Sequence, residues 1–272
     1  MLKISSFGPH FGEEPPLSGK QGSGAIFFTG CNLRCVYCQN WQISQEGLGN
    51  KISGSELADK MLDLQSQGCH NINLVSPSHF APQVLETLKI AKARGLKIPI
   101  VYNTNGYDSF RILKMFEGHV DIYLPDIKYS SDESAYKYSG AKNYVKRNRA
   151  AIIEMFRQVG NLQLDDKGIA RRGIIVRHLV LPNDIAGSFE SLKFLASLSQ
   201  DIWISVMAQY HPCNKAERFP ELNRRINSTE YQRVLGWVEQ LGFHNVLAQE
   251  LDSSDIYLPD FREEQPFKSN EI

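Results

Sequence analysis

The stretch Phe27-Phe28-Thr29-Gly30-Cys31-Asn32-Leu33-Arg34-Cys35-Val36-Tyr37-Cys38-Gln39-Asn40 places three cysteines in the spacing C-x3-C-x2-C. Ala25 to Thr29 is a short apolar run suited to a buried strand. Gly30 then lets the backbone turn tightly, and Arg34 adds a donor near whatever the thiolates hold. Iron–sulfur clusters are bound by cysteine thiolates, normally four for a [4Fe–4S] cube. Three thiolates on one short loop reach three corners and leave one iron open, which is how a reactive metal site differs from a closed structural one. Zinc ligation and packed thiols are the competing readings. Zinc usually takes two pairs of ligands, yet Cys69 stands alone and Cys213, with His211 two residues before it, is a remote partner.

Outward from this loop, the rest of the chain narrows the choice. Its 272 residues are 42% apolar, enough for a large core in one α/β domain. Thirty basic residues balance thirty acidic ones, so there is no long-range field toward nucleic acid or an anionic membrane. No run of ~20 apolar residues suggests a bilayer span, and no signal peptide is read at Met1 to Phe11. The expected location is the cytoplasm. Five cysteines, three of them clustered, suit metal chemistry better than a disulfide framework.

Residues 1–24 read as an irregular N-terminal lead-in, because Pro9, Gly12, Pro15, Pro16, Gly19 and Gly22 punctuate it. Strands are then expected at 25–29, 72–75, 98–102, 120–124, 173–181 and 203–207, with a short last one at 246–247. Helices are expected between them, among them 53–67 with Ser53 as N-cap and Glu56 three residues on. Strand–helix alternation predicts parallel pairing, and about six units predict a partial (βα)6 TIM-type barrel of parallel strands and outer helices over 25–250, with a C-terminal tail over 251–272. Ligands gather at the C-terminal ends of such strands. The cysteines, Ser76 to His79, Asn103 to Gly106, Asp126 to Lys128 and His211 all fall there.

The cysteine loop after a first strand resembles the radical S-adenosylmethionine (SAM) superfamily, and its wider phrase is similar to the pyruvate formate-lyase activating-enzyme group. Asn103-Thr104-Asn105-Gly106, Asp126-Ile127-Lys128, the 176–182 segment and Gln209-Tyr210-His211 extend the resemblance in the same order over most of the chain. The segment His10 to Gly19 is similar to the lead-in of a branch related to these enzymes. The resemblance implies a [4Fe–4S] cluster on Cys31, Cys35 and Cys38, with SAM on the open iron. It implies reductive cleavage of SAM to a 5′-deoxyadenosyl radical that abstracts hydrogen from a protein or peptide, with a flavodoxin or ferredoxin as reductant. Tyr37 would then pack near adenine, Asp126 and Lys128 would contact SAM, and Asp126 would offer an oxygen to a monovalent cation. Arg177 and His211 match positions near the cofactor.

The chain departs from that pattern at one place. Activating enzymes carry Gly-Gly-Glu after the second strand, where this chain has Ser76-Pro77-Ser78-His79. Ser76 and Ser78 are expected to accept from the SAM ammonium instead. Asn103 stands where a relative would have an acid, so a cation there would be held by less charge. Other chemistries have weaker support. Ser44 and Ser205 lack a G-x-S-x-G elbow, the glycines from 19 to 24 lack a dinucleotide-binding context, and the Tyr- and Lys-rich stretch from Lys128 to Arg149 reads as a solvated face. Three functions stay open: radical activation of a protein such as a glycyl radical enzyme, radical modification of a small molecule or peptide, and a non-catalytic iron–sulfur electron carrier. A carrier would ordinarily need a fourth cysteine ligand.

Overall fold

The computed structural model describes residues 1–251, 258–263 and 265–267. In chain order the strands are β1 (Leu2–His10), β2 (Ser23–Phe28), β3 (Asn50–Ile52), β4 (Ile72–Val75), β5 (Ile100–Thr104), β6 (Ile122–Pro125), β7 (Gln163–Leu164), β8 (Ala170–Leu179), β9 (Trp203–Met207) and β10 (Val246–Ala248). The helices are α1 (Pro15–Ser18), α2 (Trp41–Ser44), α3 (Gly54–Ser66), α4 (Ala81–Ala93), α5 (Phe110–Phe116), α6 (Asp132–Ser139), α7 (Tyr144–Val159), α8 (Ser188–Leu198) and α9 (Ser228–Gln240). Ser53 caps α3 as expected: its side chain accepts from the Glu56 N–H, and Glu56 accepts from the Ser53 N–H.

The sheet runs β10-β9-β8-β6-β5-β4-β2-β1-β3, and β2 through β10 on this path are parallel. Among the described residues its two ends do not pair, so the barrel is partial. Strand period two sorts the side chains. Ile26, Phe28, Ile72, Leu74, Ile100 and Tyr102 point outward into a core shared with the helices. The alternate residues point into the barrel. There Val101, Ile122, Leu124 and Ile175 close around Leu17 of α1, which lies across the opening where the strands begin. One step further along the same inward faces come Asn103, Asp126 and Arg177.

The expected irregular lead-in is corrected over 2–10. These residues form β1, antiparallel to β2 from Ile4↔Phe28 to His10↔Ser23. Only Leu2 to Ile4 of β1 pair with β3, so the second edge of Pro9 is free and its missing N–H costs no ladder bond. Of the expected tail, residues 252–257, 264 and 268–272 lie outside the described residues. The rest returns to the barrel: the Phe261 N–H bonds Gln42 Oε1 at 2.8 Å, and its ring packs 5.5 Å from Phe27.

Candidate active site

The loop after β2 carries Cys31, Cys35 and Cys38, all lining one cavity of about 860 Å³ at the C-terminal ends of the strands. Gly30 at φ +97° makes the turn, and a Cβ there would meet the His79 ring at 3.0 Å. That ring is held by a 2.7 Å bond between Nε2 and the Thr29 carbonyl. The loop is zipped to the end of α6 by the Arg34 and Val36 N–H groups, which donate to Ser139 and Tyr138 carbonyls. Donors reach the sulfurs: Leu33 N–H at 3.4 Å and Asn105 Nδ2 at 3.2 Å to Cys31, and Ser139 Oγ at 3.0 Å to Cys35. Cys38 Sγ lies 3.2 Å from Ser44 Oγ.

These contacts suit thiolates bound to a cluster. Hydrogen bonds to sulfur are one of the levers a protein has on cluster potential. Burial raises the Cys35 thiol, while Lys128 and Ser139 oppose that and favour the thiolate. Burial also pushes the Cys38 thiol up to about 12, so its deprotonation belongs with metal binding. Among the described residues no three His, Cys, Asp or Glu side chains converge on one ion. Three corners of a cube belong to three separate irons, so such convergence is not what a cluster asks for. Cys213 faces elsewhere: its Sγ contacts the Tyr37 carbonyl at 3.5 Å behind the loop and does not line the cavity. Cys69 packs outside the barrel.

Beneath the thiols lies a buried ion network. Asp126 and Arg177 sit side by side because β6 and β8 extend into an isolated bridge at these two residues. Arg177 Nε donates to Asp126 Oδ1 at 2.8 Å, and Lys128 Nζ to Asp126 Oδ2 at 2.6 Å. Burial opposes the Asp126 charge, but Arg177 and Lys128 outweigh it and hold the carboxyl below the usual range. Burial likewise opposes the Lys128 charge, and Asp126 overcomes it and raises the ammonium. Arg177 Nη2 also donates to Asn103 Oδ1 at 2.7 Å.

Residues 25–196 match the Radical SAM superfamily. The chain belongs to the radical SAM superfamily. It is 32% identical over 242 residues to an uncharacterised protein of Methanocaldococcus jannaschii, a match that covers 85% of this chain and 65% of that protein. It is 26% identical over 183 residues to the pyruvate formate-lyase-activating enzyme of Clostridium pasteurianum, covering 65% of this chain and 69% of that enzyme. Two solved structures share the fold. The FeFe-hydrogenase maturase HydG from Carboxydothermus hydrogenoformans superposes with a TM-score of 0.57 at 12% identity, over 89% of this chain and 60% of that one. Methylornithine synthase (PylB) does so with a TM-score of 0.55 at 14% identity, over 89% and 74%. The chain thus spans about two thirds of its Methanocaldococcus relative. Membership in the radical SAM superfamily carries with it a [4Fe–4S] cluster, SAM and SAM-dependent radical chemistry.

In this radical SAM chain, Tyr37, Ser76, Asn103, Asp126, Lys128, Arg177 and His211 all line the cavity with the three cysteines. Tyr37 does so from a buried position, its hydroxyl 2.5 Å from that of Tyr129 and its ring 5.6 Å from that of Tyr210. Ser78 is a correction. It turns away from the cavity and donates to Asp108 Oδ1 at 2.5 Å, a carboxyl that Tyr102 and Thr104 also reach. The cause is Ser76, whose φ of +59° reverses the chain between the two serines. Arg34 is exposed, and its side chain does not line the cavity.

Two functional candidates escaped the sequence reading. Glu13 and Glu14 enter the cavity from the lead-in. Glu13 Oε1 accepts from Asn73 Nδ2 at 3.0 Å and Asn103 Nδ2 at 3.2 Å, and Oε2 lies 3.4 Å from Arg177 Nη1. The expectation of a site short of one carboxylate therefore holds only for the loop after β4. The missed signal was the Glu13-Glu14 pair itself, two acids in an otherwise Gly- and Pro-rich segment.

Proposed function

We propose that this radical SAM enzyme abstracts hydrogen from a protein or peptide, and that a glycyl radical enzyme is that substrate. The observation that carries the reading is the single cavity into which three cysteine thiols, the Asp126–Lys128 pair and His211 open together. The 26% identity to a pyruvate formate-lyase-activating enzyme supports the choice of substrate class. Cys31, Cys35 and Cys38 would hold the cluster, which with SAM would supply one-electron cleavage of the sulfonium C–S bond and so the hydrogen-abstracting power.

The chain's own residues bind, orient and shield. Lys128 offers a cation to a carboxylate, and Asp126 fixes the direction of that ammonium. Tyr144 donates nothing to the cavity; its hydroxyl accepts from the Lys128 N–H at 2.8 Å and so sets the strand end. Leu33, Tyr37 and Tyr210 form cavity wall beside the cysteine loop, and Tyr129 and Tyr138 pack with them away from the cavity, so water is kept from that side. Ser76 and Asn103 supply uncharged oxygens where the related enzymes place acids. An external one-electron donor, a flavodoxin or ferredoxin, completes the reaction.

The test is electron paramagnetic resonance of candidate partner proteins after anaerobic incubation with the reconstituted enzyme, SAM and reductant. A SAM-dependent glycyl doublet on the partner supports the proposal. SAM cleavage without any partner radical refutes the glycyl version. A second reading, modification of a small molecule or peptide, is favoured by the charged interior of the cavity around Glu13 and Glu14, which a backbone glycine would not need.

A further inference from the structure

We propose that the floor of this cavity binds a protonated amine of the substrate between Glu13 and Glu14. This rests on the reading that the substrate of the radical reaction enters the cavity lined by the three cysteines.

The floor is built from inward-facing positions of β4, β5, β8 and β9 and from the lead-in that crosses beneath them. Glu14 is only 8% exposed and lines the cavity, yet among the described residues its Oε2 has no hydrogen-bond partner. Asn73 lies behind the lining, wholly buried, and spends its Nδ2 on Glu13. As a carboxylate oxygen, Glu14 Oε2 is an acceptor. A buried acceptor without a donor costs about 1–3 kcal/mol, and more when it is charged, so such an atom marks where a missing donor belongs.

Charge points the same way. Among the described residues, three carboxylates of the floor face two cations: Arg177 and Lys128 pair with Glu13 and Asp126, and Arg177 also acts on Glu14 from a distance. Both Lys128 and the Arg177 Nε are committed to Asp126. His10, a further titratable neighbour of Glu14, is held neutral: burial pushes it down to about 4. Burial raises the Glu14 carboxyl to about 7, so without a cation beside it the floor is kept near neutral by a proton; an ammonium would take that proton's place, leaving Glu14 ionised in the bound form and its charge matched by the ligand. Asp126 is not available for this task, since both of its oxygens are already occupied. The site takes an alkylammonium, either free in a small molecule or carried on a peptide as a lysine side chain.

The experiment is isothermal titration calorimetry of the reconstituted, SAM-loaded enzyme without reductant. The probes are n-butylamine, n-butanol, butyrate and the tripeptide Gly-Lys-Gly. Without reductant there is no turnover, so the result is independent of whether any glycyl radical forms. The amines are expected to bind, and the alcohol and the acid to bind at least about tenfold more weakly. Preference for n-butylamine over Gly-Lys-Gly identifies a small-molecule amine, and the reverse a peptide. Glu14→Gln is expected to weaken the preferred amine by about tenfold or more, with Glu14→Asp recovering part of the loss and SAM affinity moving less than about twofold. Iron content shows that each variant has folded. Equal binding of n-butanol and n-butylamine, no binding of either amine, or an equal loss of SAM and amine in Glu14→Gln would overturn the proposal.

Discussion

Glu14→Gln should make the protein more stable at neutral pH, although it removes a charge next to Arg177. Burial and the neighbouring Glu13 push the Glu14 carboxyl up, Arg177 and Ser205 only partly oppose them, and the result is about 7 against an ordinary 4.5. The folded protein therefore holds this proton more tightly than the unfolded chain does. Stability from this group is fully present below about 4.5, declines as pH rises, and is exhausted above about 7. The gap corresponds to roughly 3 kcal/mol. Glutamine mimics the protonated acid in shape and neutrality, so wild type and variant should be alike near pH 4.5 and diverge above it. Anaerobic urea unfolding of the cluster-loaded proteins between pH 5 and 8 reads this out. The variant's advantage should widen by about 2–3 kcal/mol over that interval. A constant difference across the interval, or a variant less stable at pH 8, would mean that Glu14 is ionised and well paired in the fold, and would refute the reasoning.

Gly106→Ala should be among the most damaging single substitutions in the loop after β5. Gly106 has φ +72°, and an added Cβ would collide with the Asp126 carbonyl and the Asn148 amide. The backbone must move, so a loss of about 2–4 kcal/mol in unfolding free energy is expected, together with weaker SAM binding because Asp126 shifts. Lys128→Ala should leave iron content intact and weaken SAM binding by about tenfold, measured by equilibrium dialysis of reconstituted protein. Its cost in stability should fall below the ~3–5 kcal/mol of a broken buried pair, because Arg177 still faces Asp126; a variant that loses its iron instead would place Lys128 in the cluster's own support.

What could be read from the sequence was what depends on neighbours along the chain. Cys31, Cys35 and Cys38 fall on one short loop, so their spacing carries their role without knowledge of the fold. The parallel strands were legible because runs such as Ile72–Val75 and Trp203–Met207 are locally apolar and separated by helical patterns. β1 was not, since its only local mark is the alternation of Leu2 and Ile4 before Gly8 and Pro9. Its pairing with β2 is a contact between distant segments, and pairing of that kind decides strand identity more than propensity does. Glu13 and Glu14 were missed for a related reason: only the passage of the lead-in beneath the sheet turns two polar loop residues into the cavity floor. Ser76 and Ser78 looked equivalent, and the left-handed turn at Ser76, unusual for a non-glycine residue, separates them.

The most direct test of a three-thiolate cluster that serves SAM cleavage is anaerobic reconstitution with iron and sulfide, followed by reduction in the presence of SAM. The wild-type chain is predicted to bind about four irons and to release 5′-deoxyadenosine, while Cys35→Ala binds no stable cluster and releases none. A fully loaded cluster that leaves SAM uncleaved, or a Cys35→Ala variant that keeps its four irons, would contradict the account.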